Sequence, residues 1–181
     1  MLPSSRTRAP FRVVTIEETS WHDLSEAPTL TIAADEVLLH TSTLSLRLTY
    51  QAYGNLISHL PEGKWTGLRQ SLEVVGSHKD AGPGLIRYGF PDAPLHVALH
   101  QIVQVRDLTD GYCSIHAHAD AAELNAIIPG PGGLVYDVYL DDWFQVSAPQ
   151  LLWFPADVPH CATAARGVGF FFVVHVPVSV T

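Results

Sequence analysis

Hydrophobic and polar positions alternate with a period of two along much of this chain, the pattern of strands with one buried face. The clearest case in the first half is Thr43–Tyr50, where Leu44, Leu46, Leu48 and Tyr50 alternate with Thr43, Ser45, Arg47 and Thr49. Phe11–Ile16 reads as a short strand and Trp21–Leu24 as one helical turn. Gln51–Leu60 reads as a short helix stopped by Pro61-Glu62-Gly63. Strand-length runs follow at Leu68–Val75, Leu85–Phe90, Leu95–Asp107, Tyr112–His118, Glu123–Ile128, Leu134–Leu140, Leu151–Phe154 and Val168–Val176. Gly82-Pro83-Gly84, Asp110-Gly111, Pro129–Gly133, Ala148-Pro149 and Arg166-Gly167 separate them. Short strands at this spacing predict an all-β fold, an antiparallel sandwich or barrel with a few short helices.

The chain has 181 residues, room for one ordinary domain. Residues 1–10 have the Pro, Ser and Arg content of a flexible arm, and 11–181 form the single domain. Charged residues are only 15% of the chain and apolar ones 47%, which excludes a disordered chain and points to surface covered by a second copy, a homodimer. The net charge is -8 and the basic residues are scattered singly, so nucleic acid is not an expected partner. No apolar run approaches the roughly 18 residues of a spanning helix, and charge interrupts the start where a signal-peptide core would lie. The expectation is a cytoplasmic protein with no membrane partner.

Ten histidines change the picture. On a strand, positions i and i+2 share a face, so His116 and His118 project together into one space. There both rings can reach one metal ion. The Ala119–Ala122 connection is long enough to turn the chain, which lets Glu123 return on a neighbouring strand with a carboxylate. Downstream, Phe154-Pro155-Ala156-Asp157-Val158-Pro159-His160 ends a strand, turns, and presents a fourth group. A His-x-His pair alone is expected about 0.5 times by chance in such a chain; adding a correctly spaced Glu and Gly lowers this to roughly 0.003.

These residues resemble the motifs of the cupin superfamily, small barrels of two antiparallel sheets (a double-stranded β-helix, or jelly roll). His116, His118, Glu123 and Gly130 match the first motif, whose leading glycine has its counterpart in Gly111, one residue out of register. In the second motif Pro155 and His160 match, while Pro149, Asp157 and Ala164 stand where Gly, Gly and Asn are usual. The resemblance spans about residues 95–177. It implies that His116, His118, Glu123 and His160 bind one divalent metal per chain, Fe(II) favoured and Zn(II), Mn(II) or Ni(II) also suited to the donor set. It further implies that Glu123 can act as a base when substrate displaces it.

Strand parity nominates a substrate pocket. Tyr112 and Ser114 share the face of His116 and His118, and Asn125 and Ile127 share that of Glu123. His96 and His100 share a face with Ile102, Gln104 and Arg106, so His100, Gln104 and Arg106 join the pocket set beside an equal reading as an exposed sheet face. By the same parity Cys113 and Cys161 point away and read as small buried thiols. His22, His40, His59 and His78 read as surface or loop residues. His175 is undecided, since both registers of Phe170–Val176 are apolar. Asp137, Asp141 and Asp142 read as a solvated turn, and Trp143, Trp153 and Phe170–Phe172 as packing residues.

Three function classes use the same four groups. The first, favoured because it is common among four-ligand cupins, is an Fe(II)-dependent dioxygenase acting on a small carboxylate- or hydroxyl-bearing molecule. The second is a redox-neutral enzyme (isomerase, lyase, decarboxylase or cyclase) with the metal as Lewis acid. The third is a non-catalytic metal- or ligand-binding barrel.

Overall fold

The computed structural model describes residues 15–18, 29–33, 36–40, 44–49, 62–66, 69–70 and 80–178. The expected arm at 1–10, the helical turn at 21–24 and the helix at 51–60 lie outside them, as do His22, His59 and His78. Twelve strands are found among the described residues, with one short 3-10 turn at Val105–Asp107. All strand pairs are antiparallel.

The first sheet holds β1 (Thr15–Glu18), β2 (Thr29–Ala33), β3 (Glu36–His40), β4 (Leu44–Thr49) and β5 (Gly63–Thr66), in the order β1-β4-β3-β2-β5. His40 stands on β3, paired with Thr29 and Ser45. The second sheet holds β6 (Arg69–Gln70), β7 (Leu85–Gly89), β8 (Val97–Ile102), β9 (Ala121–Leu140), β10 (Asp142–Ser147), β11 (Gln150–Phe154) and β12 (His160–Pro177). Its order is β10-β9-β12-β8-β7-β6, with β11 also on β9.

Two runs expected as separate strands, Glu123–Ile128 and Leu134–Leu140, are halves of the single strand β9, which passes straight through the Pro129–Gly133 punctuation. Its long partner β12 begins at His160 rather than Val168. Register shifts between Ala164 and Arg166 and between Gly167 and Gly169 interrupt their pairing beside that same segment. Bulges bend and twist a strand. Gly167 lies at φ +91°, and a Cβ there would run into the carbonyl oxygen of Gly133, so glycine is what lets the two strands bend together.

The bend curls the sheet around an inner core. Ile127, Phe171 and Val173 from one half of the long strands pack in one cluster with Tyr136, Val138 and Ala164 from the other. The opposite face, with Leu124, Ala126, Ile128, Phe170, Phe172 and Val174, packs against Leu30, Ile32 and Leu39 of the first sheet. The N-terminal half of β9 and the C-terminal half of β12 are therefore covered on both faces. This explains why Phe170–Val176 shows no alternation, and it gives the low share of charged residues an intramolecular cause.

Candidate metal centre

The His-x-His segment is not the strand expected at Tyr112–His118. His116 instead makes an isolated bridge to His160, donating its backbone N–H to the His160 carbonyl at 3.0 Å and accepting the return bond at 2.8 Å. The N–H of Asp157 donates to the carbonyl of His118 at 2.8 Å. Three backbone bonds thus tie this loop to the turn that presents His160. Asp157 has φ +60°, the left-handed conformation for which glycine is the usual residue. Asp tolerates it better than most side chains, so the departure from the motif at this position preserves the turn.

Two rings are oriented by the same local device. His116 Nδ1 lies 2.8 Å from the carbonyl of Ser114, and His160 Nδ1 lies 2.8 Å from the carbonyl of Val158, in both cases two residues back. A carbonyl only accepts, so Nδ1 carries the proton in each ring and Nε2 of the neutral imidazole keeps its lone pair. His160 Nε2 then lies 3.2 Å from Glu123 Oε2, and His118 Nε2 lies at the same distance from that oxygen.

A neutral imidazole lone pair facing a carboxylate oxygen is two acceptors with nothing between them. The arrangement calls for positive charge, either a proton on the ring or a metal ion. The ligand atoms of His116, His118, Glu123 and His160 all lie within 4.8 Å of one another, and His160 is only 2% exposed. The four residues therefore fit a divalent cation. Burial alone would raise the pKa of Glu123, but with a proton on the facing rings the hydrogen bonds from His118, His160 and His175 outweigh it and hold the carboxyl well below its ordinary value. Glu123 is thus an anion, as a ligand must be.

A small cavity of about 30 Å³ opens beside the cluster. Of the expected pocket residues, Tyr112 and His100 line it. The Tyr112 hydroxyl accepts the Ala164 N–H at 2.9 Å, and burial keeps the phenol neutral by pushing its pKa up. Ser114 is exposed and serves through its carbonyl. Ile127 is buried in the inner cluster. Asn125 is fully buried, and neither atom of its carboxamide has a hydrogen-bond partner. Gln104 and Arg106 are not in the cavity wall: β8 stops at Ile102, and Arg106 sits on the 3-10 turn with its side chain 81% exposed beside Asp107.

The structure adds further residues to the site, among them Cys113, Phe154 and His175. Cys113, expected to point away, lines the cavity, because the loop around it does not follow strand parity. Cys161 stays out of the cavity wall; its Sγ donates to the Cys113 carbonyl at 3.2 Å, and contact with Cys113, together with burial, pushes the thiol's pKa up and keeps it protonated. Phe154 stacks on His160. His175 turns inward, opposite Glu123 on the paired strand, with Nε2 3.6 Å from Oε2.

No family model matches the chain, and no curated protein matches it. Among solved structures, it is similar to KdgF from a Halomonas species, at 15% identity and a TM-score of 0.39 over 56% of this chain and 88% of that one. An RmlC-like cupin from Shewanella frigidimarina gives 17% identity and a TM-score of 0.40 over 61% of this chain and 96% of that one. The Fe(II) form of HppE gives 14% identity and a TM-score of 0.38 over 60% of this chain and 64% of that one.

Proposed function

We propose that this chain is a cupin enzyme that holds one divalent cation, Fe(II) by preference, on His116, His118, Glu123 and His160, and oxidises a small carboxylate- or hydroxyl-bearing molecule. The observation that carries the reading is the convergence of His116, His118, Glu123 and His160, whose ligand atoms all lie within 4.8 Å of one another, with His160 Nε2 3.2 Å from Glu123 Oε2. Three neutral imidazoles and one carboxylate suit a borderline transition metal and leave positions for other ligands at six-coordination. When bound, Fe(II) would supply O2 activation.

The chain's own residues do the rest. Phe154, Phe171 and Val173 give the cavity an apolar wall that limits water. Glu123 Oε2, facing two imidazoles, would compensate the cation as a ligand and, once a chelating substrate displaces it, is the protein atom placed to take the substrate's proton. Asn125 and Tyr112 supply polar groups on the inner side of the barrel, and the low charge of the chain suits a small organic substrate. No helix among the described residues is long and apolar enough to cross a membrane. We place the protein in the cytoplasm as a homodimer, a state that light scattering at micromolar concentration tests directly.

The decisive experiment is elemental analysis after anaerobic purification, followed by O2 uptake with small hydroxy- and keto-acids. Stoichiometric iron with substrate-dependent uptake is the expected result. Stoichiometric zinc with no uptake would replace oxidation by redox-neutral Lewis-acid chemistry at the same four residues. A protein that takes up no divalent metal would end the reading.

A further inference from the structure

We propose that His175 is a positioning residue for the candidate metal centre, holding the Glu123 carboxylate toward the three ligand nitrogens through a ring N–H. The inference rests on the metal-binding reading above and extends it to a residue outside the four-ligand set.

His175 and Glu123 are direct partners in the β12–β9 ladder, and both face the inner side of the curled sheet. Three imidazoles converge on Glu123 Oε2: Nε2 of His118 and of His160 at 3.2 Å, and Nε2 of His175 at 3.6 Å. The first two belong to the group whose ligand atoms gather within 4.8 Å; His175 does not. Once a cation takes the lone pairs of His118 and His160 at Nε2, those atoms have no proton to donate to Glu123. Of the three converging imidazoles, His175 is then the one that can still donate. A closing movement of a few tenths of an ångström brings it within hydrogen-bond range.

The ring is also held in place for this role. It lies between two other imidazoles, with its centroid 4.5 Å from that of His96 and 4.4 Å from that of His118. Its backbone N–H donates to the His96 carbonyl at 2.9 Å, which fixes the strand edge from which the ring projects. A carboxylate ligand free to rotate offers the cation several geometries, whereas one held by a hydrogen bond offers fewer. Partners of this kind are worth about 10–100-fold in metal affinity.

The test is titration calorimetry of metal-stripped protein with Co(II) or Mn(II) alone, with the visible Co(II) spectrum as a second readout. His175→Leu keeps bulk but loses the donor, and should weaken binding by about 10–100-fold and shift the Co(II) bands. His175→Gln retains an N–H at the reach of Nε2 and should recover most of the affinity, while the shorter His175→Asn should not. Should the Leu variant fail to fold, the Gln and Asn pair carries the comparison alone. Equal affinity for Gln and Asn, or a Leu variant within twofold of the parent, overturns the proposal. A parent protein that binds neither metal overturns the metal-binding reading instead. In a Glu123→Gln background, loss of the His175 donor should cost little more; fully additive losses would show that His175 does not act through Glu123.

Discussion

The ring of Phe154 lies nearly flat on the imidazole of His160, with centroids 4.4 Å apart and 13° between the planes. Phe154 is also buried in the inner cluster, so one side chain serves both the core and the orientation of a candidate ligand. Phe154→Ala should cost about 3–5 kcal/mol in urea unfolding. Phe154→Leu should fold with a smaller loss and still weaken cation binding, because the face that steadies the imidazole is gone. Unchanged affinity in a folded Leu variant would confine Phe154 to packing.

His118, a candidate ligand through its ring nitrogen, adds little core packing, being part-exposed on a loop. His118→Ala should therefore leave the melting temperature of metal-stripped protein nearly unchanged while abolishing stoichiometric metal. Elemental analysis checks this, and full metal retention would remove His118 from the ligand set.

Glu123 has a pKa held below its ordinary value in the folded chain, so the folded state binds this proton less readily than the unfolded one. Its contribution to stability is fully present above the unfolded value of about 4.3. It is lost as pH falls through the lower folded value. Urea unfolding of metal-stripped protein from pH 7 to pH 3 should show this fall, and Glu123→Gln should flatten it. An equally steep profile in the Gln variant would assign the acid sensitivity to other carboxylates.

Asp157 sits at φ +60° in the turn that presents His160, bonded through its N–H to His118. Asp157→Gly should be tolerated within about 0.5 kcal/mol, since glycine meets no Cβ penalty there. Asp157→Val forces a β-branched residue into the left-handed region and should cost about 1–3 kcal/mol. Thermal melts of the two variants check the order, and a harmless Val would mean that the turn can relax.

Gly167→Ala should be the most damaging single methyl group in the bend, because the added Cβ meets the Gly133 backbone and φ is +91°. The expected loss is at least about 1–3 kcal/mol, read from urea unfolding. An Ala variant as stable as the parent would show that the bend tolerates a different path.

Most of the fold's character was legible in the residue pattern, because period two and Gly/Pro punctuation follow directly from strand geometry. The spacing of His116, His118 and Glu123, with His160 downstream, named four residues that the structure brings together. Three features were not legible, each for a physical reason. Pro129–Gly133 reads as a stop, yet long pairing to β12 on either side carries the strand through it. Arg106 follows β8 in apparent alternation, but the chain turns after Ile102, so counting by two fails there. Inward positions on β12 are even near His160 and Ala162, and odd at Phe171, Val173 and His175. The bulges change the parity, which is why His175 could not be placed by counting from His160.

The carbonyls of Ser114 and Val158 each belong to the same short stretch of backbone as the ring they steady. For His116 that aim is set within three consecutive residues, and for His160 the same local bond is joined by the face of Phe154. Val173 and Phe171 can be exchanged for side chains of similar volume that keep the inner cluster filled without re-pointing those two nitrogens. Under the proposed function, preference for substrate and affinity for the cation would then be separable, and a library randomised at Phe171 and Val173 should alter the first while leaving metal uptake by elemental analysis unchanged.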